Sequence, residues 1–287
     1  MHKLYNCIIL STKSAGSSAL QQFLVQDFGF KMTKKVRHHE NETLFWAKAT
    51  SILRLPQQKL HRSKLPYSYD KAFESLQKFV SENELGNLTS GNVTREEIFN
   101  LYSRLIQQNQ PRFVEKSPHH LFNKSNLDLI SEYISLHKND IDFKVIGLVR
   151  HPLSVIYSGW DRWKFDCRLF ENEWYTSNQN LLHYQKELDI EIVRYEDLVA
   201  ENGAFMQEKL NLEPVSNNFH FRSSSLYKWK TDDKFGHELS DETKQLAANF
   251  GYSDFETPYN NLSWKIKEMA TYAGVEIKRL LRSNDVA

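Results

Sequence analysis

The sequence predicts an α/β fold in which a central, mostly parallel β-sheet is flanked by helices. Three observations lead to this prediction. Short apolar runs typical of buried strands alternate with segments whose apolar residues recur at helical spacing. A polar cluster follows directly after several of the predicted strands. No internal repeat or linker divides the 287 residues, so we expect one domain spanning residues 1–287, long enough to bury a large core.

Composition excludes several classes of function. The formal net charge is +1, so no general attraction to nucleic acid or to a membrane surface is implied, and any anion site must be local. The sequence shows neither a signal peptide nor an apolar run long enough to span a bilayer. Cys7 and Cys167 predict no disulfide framework and no metal site. We therefore expect a cytoplasmic protein without a nucleic-acid partner, and no pattern specifies its oligomeric state.

The first predicted unit is a strand, a tight loop and a helix. The run Cys7–Leu10 is apolar, and apolar residues recur at helical spacing from Ala19 to Phe28. The loop between them contains small residues and one lysine: Ser11, Thr12, Lys13, Ser14, Ala15, Gly16, Ser17 and Ser18. Such a loop suits a phosphate, because its N–H groups and the positive end of the helix dipole point to one place. It is not a Walker A loop, since the lysine precedes the glycine.

The segment from residue 31 to residue 110 is expected to combine irregular stretches with two helices. We interpret residues 31–46 as a short strand and loop, and residues 52–69 as an irregular surface segment. Helices are predicted from Asp70 to Glu84 and after the capping box Thr94–Glu97. Residues 55–110 are thus expected to form an insertion of helices and loops before the next strand.

Three further strands are predicted in the rest of the chain. They are Arg112–Glu115, followed by the loop Lys116–His120, then Phe143–Val149, followed by Arg150, and Ile190–Tyr195. The remaining predicted helices are Leu127–Leu136, Pro152–Trp163, Leu181–Leu188, Glu196–Leu210, Ser240–Phe250 and Leu262–Leu281. Because the carboxyl ends of parallel strands share one edge of a sheet, Lys13, Lys116 and Arg150 should converge there.

Two more groups have residue types that bind phosphate. Arg150 ends a predicted strand, and Ser158 follows eight residues later on the predicted helix. A guanidinium and a hydroxyl at this spacing could bind a second phosphate. The alternative is an arginine paired with a carboxylate and an ordinary helical serine. Arg222, Trp229 and Lys230 form a basic group with an aromatic face, for which the alternative is a solvated basic loop.

Taken together, these features fit a nucleotide with phosphates at both ends of its ribose, and the chain resembles sulfotransferases of the bacterial and carbohydrate type. These enzymes use 3'-phosphoadenosine 5'-phosphosulfate (PAPS). Lys13–Ser18 resembles the Lys-Thr-Ala-Gly-Ser-Thr loop that holds the 5'-phosphosulfate. Arg150-His-Pro, with Ser158, is similar to the motif that binds the 3'-phosphate. Glu115–Pro118 resembles the family's Glu-Lys-Thr-Pro element.

Three other segments carry the resemblance. Glu40–Trp46 resembles the Glu-Asn-Glu-x-x-Phe-Phe segment that holds the catalytic glutamate, which falls on Glu42 here. Val193–Leu198 is similar to a sequence segment that recurs in the family at the junction between a strand and a helix. Trp229-Lys230 resembles the tail of a Lys-Gly-x-x-Gly-x-Trp-Lys loop over the adenine and 3'-phosphate, although Ser224 and Tyr227 replace its glycines.

The resemblance implies a P-loop-NTPase-like sulfotransferase fold and a set of roles. It places Lys13 at the leaving phosphate oxygen, the backbone of Ser14–Ser18 around the 5'-phosphate, and Lys116 at the transferring sulfonate. Arg150, Ser158, Arg222, Trp229 and Lys230 would bind the rest of PAPS. Since lysines can neutralise the charge, no metal is expected. Three candidates for the general base stay open: Glu42, the pair His119 and His120, and the pair His38 and His39.

The acceptor is expected to be a hydroxyl of a glycan, a glycolipid or a small alcohol. The insertion at residues 55–110 is placed near it, with residues 55–69 as a lid. Two other functions compete with the transferase: a nucleotide-dependent kinase with a degenerate P-loop, which would need an acidic residue for magnesium at a strand end, and a non-catalytic protein of the same fold that only binds the nucleotide.

Overall fold

Four parallel strands form the sheet that positions the other elements. In sheet order they are β2 (Arg112–Lys116), β1 (Leu4–Ser11), β3 (Ile141–Val149) and β4 (Ile190–Arg194). The structure is a computed structural model that describes residues 3–36, 39–60, 63–89 and 91–257 and positions 264, 266, 268–270, 273, 274 and 277. The predicted α/β class with a parallel sheet is confirmed.

β1 lies inside the sheet, paired with β2 on one side and β3 on the other. The side chains of Cys7, Ile8, Ile9 and Leu10 are all 0% exposed. Because successive strand residues point to opposite faces, both faces of the sheet must be covered. The uninterrupted apolar run at the start of the chain is therefore the signature of a central parallel strand.

Helices connect and flank the strands. Within the described part of the chain they are α1 (Ser17–Phe28), α2 (Phe45–Ile52), α3 (Tyr69–Glu82), α4 (Arg95–Gln108), α5 (Lys124–His137), α6 (Pro152–Trp163), α7 (Cys167–Tyr184), α8 (Tyr195–Ala200), α9 (Met206–Leu210), α10 (Lys228–Thr231) and α11 (Asp241–Ala248). Among the residues described, no helix combines the length and apolar character that a bilayer crossing requires.

The strand order creates a crevice at one edge of the sheet. After β1 the chain goes to β2 on one side, whereas after β3 it goes to β4 on the other side. In open α/β sheets, ligands bind at such a switch point, outside the carboxyl ends of the strands. The loop after β1 and Arg150 after β3 lie at this switch point.

Two compact units can be distinguished in the chain. The first contains residues 1–150 and 176–222, and so holds the whole sheet. The second contains residues 151–175 and 223–287, and the boundary between them falls inside α7. The second unit has an apolar core of its own, which includes Leu153, Ile156, Trp229, Phe235 and Trp264. One domain over residues 1–287 stays a prediction.

Two helices differ from the sequence prediction because their residues are buried on most sides. All eight residues of α2 are buried, so the segment has no polar face that could reveal its period. α7 was predicted only near its end, as Leu181–Leu188. Its buried positions include Glu171, Asn178 and Asn180, which interrupt the apolar pattern.

Two other predicted segments also differ. The helix predicted from Glu196 to Leu210 is broken between α8 and α9, where Asn202 and Gly203 have positive φ of 46° and 74°. The described residues between 31 and 46 form no strand, since Lys31 makes only an isolated bridge to Phe113. The helix predicted at Leu262–Leu281 is helical at the described positions from 264 to 277, and its two ends lie outside the described residues.

Candidate active site

The loop at residues 12–16 is held in a tight conformation at the edge of the sheet. Ser14 and Gly16 have positive φ of 64° and 99°. A Cβ on Gly16 would lie only 2.3 Å from Cε2 of Tyr195, so glycine is required for space as well as for conformation. Arg150 donates through Nη1 to the carbonyl of Ser14 at 3.1 Å, and its guanidinium lies 4.9 Å from the Tyr195 ring centroid. The ends of β3 and β4 thus fix the loop.

This conformation makes the start of α1 suitable for an anion. Gly16 is the N-cap, no side chain caps the helix, and its first turn contains no acidic residue. The first N–H groups of a helix have no acceptor inside it, and the helix dipole is positive at this end. Ser17 and Ser18 supply hydroxyl groups, and the half-buried Lys13 supplies a positive charge. The predicted phosphate loop therefore has the geometry that an anion needs.

A buried lysine joins the loop to a carboxylate. The Lys116 side chain is 0% exposed, and its Nζ donates to Ser18 Oγ at 2.9 Å. The same ammonium lies 3.3 Å from Oε1 of Glu42. Ser18 also donates a hydrogen bond to the Glu40 carboxylate. The structure thus brings together the predicted loop, the predicted lysine and the predicted glutamate.

Glu42 is presented by a segment with unusual backbone geometry. Glu40, Asn41 and Leu44 all have φ between 52° and 57°, a left-handed conformation that L-residues rarely adopt. Such strain persists only where the surroundings impose it, and it concentrates at functional sites. Oε2 of Glu42 lies 3.5 Å from Nδ1 of His119. The carboxylate therefore contacts the lysine through one oxygen and the histidine through the other.

The other base candidates occupy different positions. The His120 side chain is 0% exposed, and burial lowers its pKa to about 3. Its ring is consequently neutral at ordinary pH and a weak base. His38 lies outside the described residues, as does the side chain of His39.

A second buried carboxylate, that of Glu115, holds the segment around Glu42 in place through hydrogen bonds. Oε1 of Glu115 accepts hydrogen bonds from Thr43 at 2.6 Å and from Ser117 at 3.1 Å. The Ser117 hydroxyl in turn accepts from the N–H of Leu44 at 3.0 Å. Burial raises the pKa of Glu115 to about 7, although the two hydroxyl hydrogen bonds oppose the shift. The residue beside Lys116 therefore positions the segment that carries Glu42 and is not a surface ion-pair partner.

The raised pKa of Glu115 predicts a pH-dependent stability. The unfolded chain releases this proton near pH 4.5, whereas the folded chain keeps it until about pH 7. The Glu115 contribution to the free energy of unfolding should therefore fall by about 3 kcal/mol across this interval and stay constant above it. Glu115→Gln, which keeps the oxygen acceptor, should remove this fall. Urea unfolding of both proteins from pH 4.5 to 8 measures the difference, and parallel curves would contradict the assignment.

The predicted residues for the 3'-phosphate are divided between the units. Arg150 and Arg222 belong to the first unit, and Arg222 is exposed. Ser158 belongs to the second unit, where it is half-buried on α6. Their predicted roles stay predictions.

Trp229 and Lys230 lie on the short helix α10 of the second unit. Trp229 is 1% exposed and stacks on His151, with ring centroids 4.9 Å apart and planes 13° apart. Lys230 forms an ion pair with Asp254. Trp229 is thus part of the core of this unit, and a nucleotide contact by either residue stays a prediction.

Several residues of the site were not identified from the sequence. Glu40 and Thr43 lie in the segment Glu40–Trp46, which resembles the family segment with the catalytic glutamate, but neither residue has a predicted role of its own. Lys48 lies one helical turn beyond Leu44 and donates to the carbonyl of Thr43 at 2.8 Å. For Tyr195 the sequence shows only that it lies in Val193–Leu198, a segment that resembles one found throughout the family. Its position directly after β4, at the same sheet edge as Arg150, was the signal that could have identified it.

Known proteins resemble the chain in sequence and in fold. A family model described as "Sulfotransferase family" matches residues 7–210. The solved sulfotransferase domain from the curacin biosynthetic pathway is similar, with a TM-score of 0.59 and 22% identity over 88% of this chain and 99% of that chain. The sulfotransferase domain from the Synechococcus PCC 7002 olefin synthase has a TM-score of 0.57 and 22% identity over 88% and 97%. No curated protein sequence matches significantly. The structural likeness confirms the predicted α/β fold of sulfotransferase domains.

Proposed function

The chain belongs to the sulfotransferase family, and from this premise we propose that it transfers a sulfuryl group from PAPS to an acceptor hydroxyl. The observation that carries the proposal is the contact between Lys116, Ser18 and Glu42. It places a cation between the phosphate-type loop and a carboxylate that can accept a proton. The acceptor is the hydroxyl of a glycan, a glycolipid or a small alcohol.

The loop residues hold the 5' end of the donor in this proposal. Backbone N–H groups of residues 14–18 surround the 5'-phosphate, and Lys13 neutralises the leaving oxygen. Tyr195 supports the assignment, because its ring closes the space beside Gly16 and keeps the loop from relaxing. Arg150 adds a guanidinium at the same sheet edge, in reach of the loop carbonyl.

The transfer itself is a displacement at sulfur. The acceptor oxygen forms a bond to sulfur as the bond between sulfur and the bridging phosphate oxygen breaks. The electron pair of the broken bond stays on that oxygen, so the leaving group is 3'-phosphoadenosine 5'-phosphate. The hydroxyl proton passes to a carboxylate oxygen of Glu42. Positioning and charge stabilisation lower the barrier, and Lys116 supplies the positive charge beside the transferring group. No step needs a redox change.

Glu42 is favoured as the base by its contacts. One oxygen lies against Lys116, which would contact the sulfonate, so the other oxygen can receive a proton close to the reacting centre. His119 touches that second oxygen at 3.5 Å and can orient it. His120 is a poor base, because its conjugate acid has a pKa of about 3.

The insertion at residues 55–110 is assigned to the acceptor side of the site in this proposal. Leu60 and Leu65 pack against Leu44 and Ala47, close in sequence to Glu42. Leu60 and Leu65 thus cover the start of the helix that follows the proposed base. This contact supports placing the acceptor beside the segment and supports its assignment as a lid.

Calorimetric titration of the magnesium-free protein tests the donor. We expect micromolar binding of 3'-phosphoadenosine 5'-phosphate and at least tenfold weaker binding of ADP, because only the first has a 3'-phosphate. Arg150→Gln should reduce this preference. Equal affinity for the two nucleotides, or binding that needs magnesium, would contradict the proposal and favour a kinase.

A further inference from the structure

A cluster of metal-ligating side chains lies in the second unit, whereas the Lys13 loop, Lys116 and Glu42 belong to the first. Cys167, His237 and Glu268 each offer one ligand atom, and these atoms lie within 4.8 Å of one another. Cys167 is 3% exposed and His237 is 2% exposed. Thiolate, imidazole and carboxylate together are a donor set that Zn²⁺ uses in proteins.

Three separate segments build this cluster. Cys167 is the first residue of α7, and Glu171 follows four residues later, so both project from the same face of the helix. His237 lies in the irregular segment before α11, and Glu268 lies among the helical positions after 264. The sequence predicted no metal site, because these residues are far apart in the chain and show no ligand spacing.

Glu171 lies beside the three candidate ligands and holds the His237 ring in place. His237 bonds to Glu171 through Nε2 at 2.8 Å and to Glu268 through Nδ1 at 2.9 Å. Glu171 is itself held by the N–H and hydroxyl of Ser240, both at 2.8 Å from Oε1. A carboxylate that accepts the Nε2–H of a histidine fixes its tautomer and leaves Nδ1 to bind a metal. Here Nδ1 points to Glu268, on the side of the ring opposite to Glu171.

We propose that Cys167, His237 and Glu268 bind one Zn²⁺ ion, with Glu171 as the residue that orients His237. The thiolate, Nδ1 and one Glu268 oxygen are the three protein ligands. Tetrahedral coordination separates such ligand atoms by roughly 3.3–3.8 Å. The present separations, from 2.9 Å to within 4.8 Å, require only small side-chain adjustments.

The surroundings leave a fourth position open. Two of the three ligands, His237 and Glu268, line a cleft of about 710 Å³ together with Glu171, Ser240 and Trp264, whereas Cys167 does not line it. A metal on Nδ1 and Glu268 would therefore face this cleft and take a water molecule from it as its fourth ligand. The cleft also provides the entry path that a buried site needs.

The local charge is compatible with a divalent ion. The carboxylates of Glu171 and Glu268 contact the two ring nitrogens of His237. A metal ligand must be deprotonated, so Cys167 would bind as the thiolate and His237 as the neutral imidazole. The thiolate and the Glu268 carboxylate would then balance the two positive charges of Zn²⁺.

Titration of the chelator-treated chain of 287 residues with Zn²⁺ and Co²⁺ tests the proposal. We expect one ion per chain, and with Co²⁺ an absorption band in the near ultraviolet from the bond between thiolate and metal. Cys167→Ser should abolish the band, and Glu171→Gln should weaken Zn²⁺ binding by about 10- to 100-fold. Cys7→Ala is the matched control, because it removes the other cysteine and should leave the band unchanged.

Several outcomes would overturn the site. Wild-type protein that binds no stoichiometric Zn²⁺, or that binds Co²⁺ without the thiolate band, would reduce the cluster to hydrogen bonds between His237 and two carboxylates. An unchanged band in Cys167→Ser would place the metal elsewhere. The wild-type titrations decide the question even if a variant fails to fold. None of these results depends on sulfuryl transfer, so the site and the proposed function can fail separately.

Discussion

Replacement of Glu42 by Gln should lower the rate of sulfuryl transfer by about 10²- to 10⁴-fold, the contribution typical of a positioned general base. The amide has almost the same shape and still accepts a hydrogen bond from Lys116, but it cannot take the acceptor proton. Affinity for 3'-phosphoadenosine 5'-phosphate should change little. The rate is measured as release of this nucleotide from PAPS with the best acceptor of an alcohol and glycan panel.

Glu40→Gln is the matched control for this variant. Glu40 lies two residues away and accepts a hydrogen bond from Ser18, yet no proton transfer is assigned to it. Near-normal turnover in Glu42→Gln, with turnover lost in His119→Gln, would move the base to the histidine. A wild-type protein that binds the nucleotide but sulfates no acceptor in the panel would favour the non-catalytic alternative.

Replacement of Lys116 by Met should reduce kcat by roughly 10²- to 10³-fold, as expected when a charge that stabilises the transition state is removed. Methionine keeps much of the length of the side chain in a position that is 0% exposed. Affinity for the product nucleotide should fall less than kcat, because the product lacks the sulfonate. Saturation kinetics and calorimetry on the same protein separate the two effects.

A stability control is needed for Lys116→Met. Removal of one partner from a buried ion pair can cost about 3–5 kcal/mol, and Glu42 is only 8% exposed. The double variant Lys116→Met with Glu42→Gln removes both charges and should recover part of this loss, which thermal unfolding measures. A rise in KM with unchanged kcat in the single variant would show that Lys116 only binds substrate.

The sequence predicted the sheet edge better than the segment that completes the site. Lys13 and Arg150 follow buried strands, Lys116 is the last residue of β2, and the rule for parallel strands places all three at one edge. The structure agrees for the loop, which Arg150 contacts directly. Such positions are predictable because strand burial leaves a simple pattern in the sequence.

The rest of the site depends on contacts between distant segments. The support of Thr43 by Glu115, across 72 residues, leaves no local pattern. The buried helix α2 shows no amphipathic period, so a loop was predicted where the chain already turns into a helix. Glu42 itself was found only through resemblance to known sulfotransferases. Its backbone geometry, set by neighbours with positive φ, could not be derived from propensity.

The placement of Glu42 has a consequence for how acceptor preference can diverge. The phosphate-type loop and Arg150 come from strand ends, whereas Glu42 comes from the excursion between α1 and β2, which also contains residues 55–69. Substitutions in this one excursion should therefore change the proposed acceptor segment and the proposed base together while the strand ends stay the same. We expect a chimera that takes this excursion from a relative to prefer the relative's acceptor and to keep the nucleotide affinity of the parent chain.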